Sequence, residues 1–363
     1  MFFPEGGNKP HNNLTAVTEF FLVGFQGSRF LRIFLFCLFL IIYCGTICGN
    51  LLIIVLVSTS KNLHTPMYFF ISQLSISDIL LTSDIVPNLL NILLSNGGTI
   101  GFLSCMTQLY FFCVAESSEC FLLTVMSYDR YVAICNPLRY STIMTSAFCV
   151  KFIAICWLAV LTISLTDSVT IPTFTFCGPN TIHHFYCDLV PLIELACSDT
   201  LILQIEVFIL VVPLVITPPI IIILSYMKII VSILRIPSTT GRQKAFSTCS
   251  SHLTVVSIFY WTIFSVYVFP TKGETLIISK ILSLIYTVFT PFINPIIYSL
   301  RNQDIKKAAQ EKFHKRISSV HSYEELDALV HKASVLRMRS SSDFEPKNAG
   351  FADEGSQLLV AAR

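Results

Sequence analysis

Charge is what this chain has least of. Asp, Glu, Lys and Arg together make 13% of its 363 residues, about half the ~25% usual in soluble domains. So few charges cannot keep a water-facing globule dispersed, which argues against a soluble enzyme. The net charge of only +2 gives no basic footprint, so no nucleic-acid partner is expected. Disorder needs low hydrophobicity and high charge, and 53% of these residues are hydrophobic. Thirteen Cys are too few for a small disulfide scaffold, and no CxxC pair supports a zinc or redox site. A P-loop, a GxGxxG after a strand, HExxH and GxSxG are all missing. His183 and His184 are adjacent, a poor spacing for one metal. No catalytic residue, cofactor or metal centre is expected, and the chain is not read as an enzyme.

What is abundant is long apolar sequence. Seven segments stand out, at 33–57, 67–94, 102–126, 148–171, 201–234, 253–269 and 275–300. Each is near or above the ~20 residues that cross a bilayer as a helix. Backbone groups in lipid must be satisfied internally, so spans are helices or closed barrels. Barrel strands would alternate apolar with polar residues, and runs such as Ile220 to Leu224 do not. The expected fold is an all-α membrane protein, a bundle of seven transmembrane helices.

Lys and Arg in short loops set the orientation. With the N-terminus outside, Lys61, Arg130, Arg139, Lys151, Lys228, Arg235, Arg242 and Lys244 fall at the cytoplasmic face, joined by Arg301 to Arg316. The other face has no Lys or Arg over 92–104 or 172–200, and only Lys272 and Lys280 near the last loop. Lys9, Arg29 and Arg32 are a minor contradiction. No cleavable signal peptide is evident. Asn13-Leu14-Thr15 is a glycosylation sequon on the expected outer side. The layout is then an extracellular N-terminus (1–29), a bundle (30–300), a short amphipathic cytoplasmic helix (301–316) and a polar, largely disordered tail (317–363).

Four Cys fall on the oxidising side: Cys105 opens span three, and Cys177, Cys187 and Cys197 share one long loop. Four Cys allow three pairings, and spacing does not choose among them.

Charges at membrane depth are costly and mark functional hypotheses. The spans carry Asp78, Asp84, Glu116, Glu119, Asp167 and Glu206. Asp84, Asp167 and Glu206 lie toward the outer ends, where hydration is easy. Phe112, Cys113, Glu116, Glu119 and Cys120 share one helical stripe. That stripe must turn into the bundle, as hydrogen-bonded structural groups or as a cation or ligand site.

Five motifs then appear in order. They are Gly49-Asn50 in span one, Leu63-His64-Thr65-Pro66-Met67-Tyr68-Phe69-Phe70 before span two, and Met126-Ser127-Tyr128-Asp129-Arg130-Tyr131-Val132-Ala133-Ile134-Cys135 closing span three. Lys244-Ala245-Phe246-Ser247-Thr248-Cys249-Ser250-Ser251-His252 opens span six, and Pro291-Phe292-Ile293-Asn294-Pro295-Ile296-Ile297-Tyr298-Ser299-Leu300-Arg301-Asn302 closes span seven. Over residues 20–316 the chain resembles the olfactory (odorant) receptors, rhodopsin-like G-protein-coupled receptors.

The resemblance implies a role for each motif. Asp129, Arg130 and Tyr131 would form a cytoplasmic switch, with Arg130 held at rest by Asp129 and released toward a G protein and Tyr226. His252 would lie at the cytoplasmic end of span six. Asn294, Pro295 and Tyr298 would form the span-seven hinge, since Pro permits a kink. Asn50, Asp78, Glu119 and Asn294 would face one another in the core, a set suited to a sodium ion or a shared proton. The resemblance selects Cys105–Cys187 and Cys177–Cys197 as the bridges. It places the odorant pocket among Phe112, Cys113, Glu116, Ser117, Leu210, Val211, Tyr260, Ile263, Phe264, Tyr267 and Thr287. A mostly apolar cleft with a few polar groups suits small hydrophobic ligands.

Two departures from the family stand out. Glu116 is unusual there, and in a low dielectric it would attract a cationic or hydrogen-bond-donating ligand. The 317–363 tail is longer than the family's usual ending. The implied function is binding of a small odorant in the outer half of the bundle and activation of a stimulatory G protein of the olfactory type, raising cyclic AMP from the plasma membrane. A non-olfactory chemoreceptor of the same class is the alternative. A transporter or channel is disfavoured, because the chain shows no repeated halves.

Overall fold

The computed structural model describes residues 17–176, 179–268 and 275–314. Within these, seven helices are long and apolar enough to cross a membrane. They are α1 (Arg29–Thr59), α2 (Pro66–Ser95), α3 (Phe102–Cys135), α4 (Ser146–Thr170), α5 (Leu201–Leu234), α6 (Thr239–Val268) and α7, whose candidate span is Leu276–Ser299. The expected all-α bundle of seven spans is what forms.

Local sequence explains where the helices start and bend. Ser28 caps α1 by accepting from the Leu31 amide, and Thr145 caps α4 by accepting from the Phe148 amide; each satisfies one orphan donor. α5 widens into a π-type turn at Val207–Val211 and α7 into another at Ile285–Phe289. Pro213 and Pro291 stand two residues after these turns. A proline ring clashes with the carbonyl four residues back, so the turn before each must open. The Thr290 hydroxyl then donates to the freed region at the Ile285 carbonyl, 2.9 Å away.

One end of the bundle carries a small sheet that no sequence pattern announced. Its strands are β1 (Glu19–Leu22), β2 (Gly98–Gly101) and β3 (Thr181–Ile182), in the order β2-β1-β3. β1 pairs antiparallel with β2, Glu19 opposite Gly101, and parallel with β3, Phe21 opposite Thr181. β1 alternates exposed and buried residues, and its inward Phe20 and Leu22 sit in the same core as Phe185 and Tyr186 of the loop after β3. Phe20 meets Phe176 edge-on with ring centroids 5.5 Å apart, a contact contributing about 1 kcal/mol beyond burial. After β1, Gly24 takes φ +60°, and a Cβ there would lie 2.3 Å from Ile92. Only glycine fits that turn.

Two basic residues at this end have backbone partners. Arg32 donates to the Leu93 and Leu94 carbonyls at the end of α2, at 3.3 and 3.4 Å. A cation at a helix C-terminus satisfies orphan carbonyls and meets the dipole favourably. Lys280 lies within α7, inside the expected 275–300 segment, is 6% exposed, and donates to the Gly24 carbonyl at 2.7 Å.

α3 is the central helix. In its most apolar stretch 67% of residues are buried, against 24% in α5. Beyond α7, Asn302 breaks the helix and residues 303–314 form another. Lys315, Arg316 and the 317–363 tail lie outside the described residues.

Candidate functional site

The sheet end is covered by the segment after β3. Cys187 bonds to Cys105 at the start of α3, with an S–S distance of 2.01 Å across 82 residues of sequence. Closing a loop of that length restricts the unfolded chain by roughly 4–5 kcal/mol in the chain-entropy model. Gln108 of α3 reinforces the joint: its Oε1 accepts from the Cys187 amide and its Nε2 donates to the Asp84 carbonyl, both at 3.0 Å. Asp188 follows and caps the short helix Leu189–Leu195, accepting from the Leu189 amide at 2.7 Å. Burial nevertheless pushes its carboxyl up to about 6. His184 is 5% exposed, and burial, aided by the nearby Lys280 ammonium, lowers its ring to about 3. The covering loop is a lid fixed to α3, β1 and α7.

Beneath the lid lies an aromatic cluster. The Phe112 ring is 5.0 Å from Tyr186 and 6.1 Å from Tyr286, and the two tyrosine hydroxyls hydrogen bond at 2.7 Å. Cys113, Glu116 and Ser117 follow on α3, each partly accessible. No hydrogen bond among the described residues reaches the Glu116 carboxylate. Ile263 and Thr287 are buried, and the Thr287 hydroxyl is taken up by the Ser283 carbonyl at 2.7 Å. Tyr260 and Leu210 are half-buried, and the Tyr260 hydroxyl lacks a partner among the described residues. The side chains of Val211 and Tyr267 lie outside those described, as do Asn13 and Cys177. Cys197 is disulfide-bonded.

Two expectations need correction. Phe264 is 65% exposed, because one residue beyond Ile263 is ~100° around the helix, so it points away from the bundle. Asp167 is not a hydrated end-of-helix acid: it is 4% exposed, with one oxygen lacking a hydrogen bond.

In the middle of the bundle Asn50, Asp78, Glu119 and Asn294 are all at most 2% exposed. Asn294 Nδ2 donates to both Asp78 oxygens, at 3.0 and 3.2 Å. Asn50 Nδ2 donates to the Thr46 and Pro291 carbonyls, each at 3.1 Å. The Asn50 Oδ1 and Glu119 Oε1 acceptors have no partner. Buried orphan acceptors are costly, and oxygen donors of this kind fit a hard cation. Gly49 permits the close approach of α1 to α7, since a Cβ there would lie 3.1 Å from Pro295.

The end opposite the lid holds two buried polar links. The Asp129 side chain is fully buried and accepts from Arg130 Nη2 at 2.7 Å and Nε at 3.1 Å. Its second oxygen accepts from the Tyr140 hydroxyl at 2.8 Å. Burial and the adjacent Asp129 charge raise the Tyr140 phenol well above its ordinary value, keeping it a neutral donor. Tyr140 was not singled out in the sequence, because a tyrosine in a polar loop carries no pattern that marks it. The second link ties three helices: Tyr226 of α5 and His252 Nδ1 of α6 meet at 2.7 Å, and His252 Nε2 lies 3.1 Å from the Leu123 carbonyl of α3. His252 is thus a buried tether. Tyr131 packs under Lys228, 5.7 Å from the ring centroid, and Tyr298 is buried with an unpartnered hydroxyl.

The olfactory receptor family model matches residues 36–316. The chain belongs to the olfactory receptor family. Among similar proteins, Olfactory receptor 11L1 of Homo sapiens is 46% identical over 299 residues, covering 82% of this chain and 93% of that one. Olfactory receptor 1500 of Rattus norvegicus is 44% identical, covering 82% and 95%. Olfactory receptor 1M1 of Mus musculus is 43% identical, covering 86% and 99%. The chain is a multi-pass membrane protein of a receptor family, not an enzyme, and the matched segment contains the Cys105–Cys187 bridge, the buried polar group of the core and both links at the opposite end.

Proposed function

We propose that this receptor binds small, mostly apolar odorants beneath the lid and activates a stimulatory G protein of the olfactory type at the opposite end, raising cyclic AMP. The observation that carries the reading is the closure of Arg130 onto a buried Asp129 at the end farthest from the lid. A buried ion pair held by a third group is a two-state element that a ligand can bias. On this reading the N-terminus is extracellular, Asn13 is glycosylated, and Cys177 pairs with Cys197. The ligand contacts Phe112, Cys113, Glu116, Ser117, Tyr260, Ile263 and Thr287, with Leu210, Val211 and Tyr267 on the flanking helices. The free Glu116 carboxylate supports a cationic or hydrogen-bond-donating ligand group. Asn50, Asp78, Glu119 and Asn294 hold a sodium ion or a shared proton in the resting state, as their orphan acceptors support. Asn294, Pro295 and Tyr298 act as the hinge.

The test is cyclic AMP accumulation in cells expressing the full chain with the olfactory stimulatory G protein. Matched amines, alcohols, aldehydes, esters and acids are compared on the native receptor and on Glu116→Gln. Amine responses lost in Glu116→Gln, with surface expression intact, support the ligand contact. Responses to neutral odorants that survive the change remove Glu116 from the ligand site. Agonist responses coupled only through another G-protein class would overturn the signalling assignment.

A further inference from the structure

At the end opposite the lid, an open groove of about 400 Å³ lies between α3 and α5. Its α3 wall is Tyr131, Cys135 and Asn136. Its α5 wall includes Leu224, Met227, Lys228, Val231 and Arg235, which recur at i, i+3, i+4, i+7 and i+11 and so form one stripe. The stripe is divided lengthwise. Leu224, Met227 and Val231 are about half exposed, at 50%, 52% and 49%, and present an apolar wall within the span. Lys228 and Arg235 are exposed and stand two turns apart, with Arg235 just past the end of α5.

The neighbouring sequence offers these cations no acid. No Asp or Glu occurs from Val207 to Lys272, and none between Asp129 and Asp167. Asp129 is fully buried and committed to Arg130 and Tyr140. Among the described residues the sole salt bridge is that pair. Lys228 is held over the Tyr131 ring, an arrangement that orients the ammonium without cancelling its charge. Ser232 adds a hydroxyl to the lining, already in contact with Cys135 Sγ at 3.1 Å.

We infer that this groove is a binding site for an anionic phospholipid, its phosphate-bearing headgroup between Lys228 and Arg235 and its acyl chains along Leu224, Met227 and Val231. Basic pockets between transmembrane helices take such headgroups, at roughly 1 kcal/mol per cation. A free phosphate would use the cations but leave the apolar wall uncovered. That wall commits the site to a lipid. That the lipid belongs to the cytoplasmic leaflet rests on the orientation proposed above, but binding in a nanodisc, open on both faces, does not.

The test uses the purified full chain in nanodiscs of phosphatidylcholine doped with phosphatidylserine or phosphatidylinositol 4,5-bisphosphate, read by native mass spectrometry of retained lipid. One anionic lipid is expected to be retained preferentially. Preference should fall roughly fivefold in Lys228→Gln and roughly 30-fold in Lys228→Gln/Arg235→Gln. Lys228→Arg should restore it, and Lys61→Gln, outside the groove, should leave it unchanged. Matched thermal unfolding midpoints exclude misfolding as the cause. Equal retention in the double variant and the native chain overturns the site. Displacement of the lipid by micromolar inositol 1,4,5-trisphosphate, as effective as displacement by the lipid itself, would overturn the lipid assignment in favour of a bare phosphate site.

Discussion

Tyr140→Phe isolates the part of the switch that the sequence did not announce. The change removes a single oxygen and leaves the ring in place. In the structure the Asp129 carboxylate has three donors, Arg130 Nη2 at 2.7 Å, Arg130 Nε at 3.1 Å and Tyr140 OH at 2.8 Å. The carboxylate is fully buried, so in the native protein water does not compete with the phenol. A hydrogen bond to a charged group contributes about 1.5–3 kcal/mol. If the Tyr140 bond exists only while Arg130 is docked, that whole amount is lost from the resting state. The active-to-resting ratio then rises roughly 10- to 100-fold, since 1.4 kcal/mol is a factor of ten. The assay is ligand-independent cyclic AMP per receptor at the cell surface, compared with Asp129→Asn, which breaks the pair itself and should have at least as large an effect. The double variant should add little to Asp129→Asn alone, because both act on one group. Basal signalling that is unchanged or lower in Tyr140→Phe at equal surface expression would refute the claim that this cluster holds the resting state.

Three further outcomes are expected. Cys187→Ser should cost several kcal/mol of stability and reduce surface receptor strongly, measured by flow cytometry against an N-terminal tag; normal surface levels would show the sheet and Gln108 suffice to seat the lid. Arg32→Met leaves the α2 C-terminal carbonyls without their cation and should lower stability by about 1 kcal/mol, read as a drop in thermal midpoint of the purified protein. The lid should also respond to pH in two opposed ways, followed by hydrogen exchange of residues 181–195 after correction for intrinsic rates. His184, lowered from 6.5 to about 3, favours the closed lid in its neutral form, so its contribution is present above about 6.5 and lost as pH falls toward 3. Asp188, raised from 3.8 to about 6, favours the closed lid in its protonated form, so its contribution is present below about 3.8 and lost as pH rises through 6. Asp188→Asn should therefore leave protection that only rises with pH from 3 to 6.5, and His184→Gln protection that only falls from 4 to 6.

The spans were legible because lipid admits so few solutions. Seven apolar runs and the need to satisfy every backbone group leave little but a helix bundle. The one clear misplacement at the pocket, Phe264, came from assigning neighbours on α6 to one face when consecutive residues diverge by ~100°. The lid sheet was not legible. β1 is four residues long, β3 two, and its pairing partners lie far apart in the chain, so no local period marks them. The partner of Lys280 was not legible for a related reason: its ammonium is satisfied by the Gly24 carbonyl, a backbone acceptor that has no sequence signature. Asp167 misled, since proximity to a helix end does not decide whether a side chain faces water.

The distribution of polar links along α3 bears on which helices can move. α3 holds the lid through Cys105 and Gln108, and its Leu123 carbonyl meets His252. The α5–α6 link at the Arg130 end is a hydrogen bond between neutral groups, Tyr226 to His252, and α5 buries only 24% of its most apolar stretch. Parting two such groups costs about 1–3 kcal/mol when they are left dry and less when water enters. Parting α3 from the lid would require breaking a covalent bond. Displacement at this end therefore falls to α5 and α6, not to α3. On the function proposed above, a ligand under the lid need supply only a few kcal/mol of differential affinity to shift that equilibrium, within reach of a small molecule making one polar contact at Glu116. It follows that Tyr226→Phe/His252→Phe, which removes this link and the contact of His252 with the Leu123 carbonyl, should permit α6 to move at lower ligand occupancy. The half-maximal agonist concentration for cyclic AMP should fall several-fold, and an unchanged or increased value would show that Tyr226 serves the active state more than the resting one.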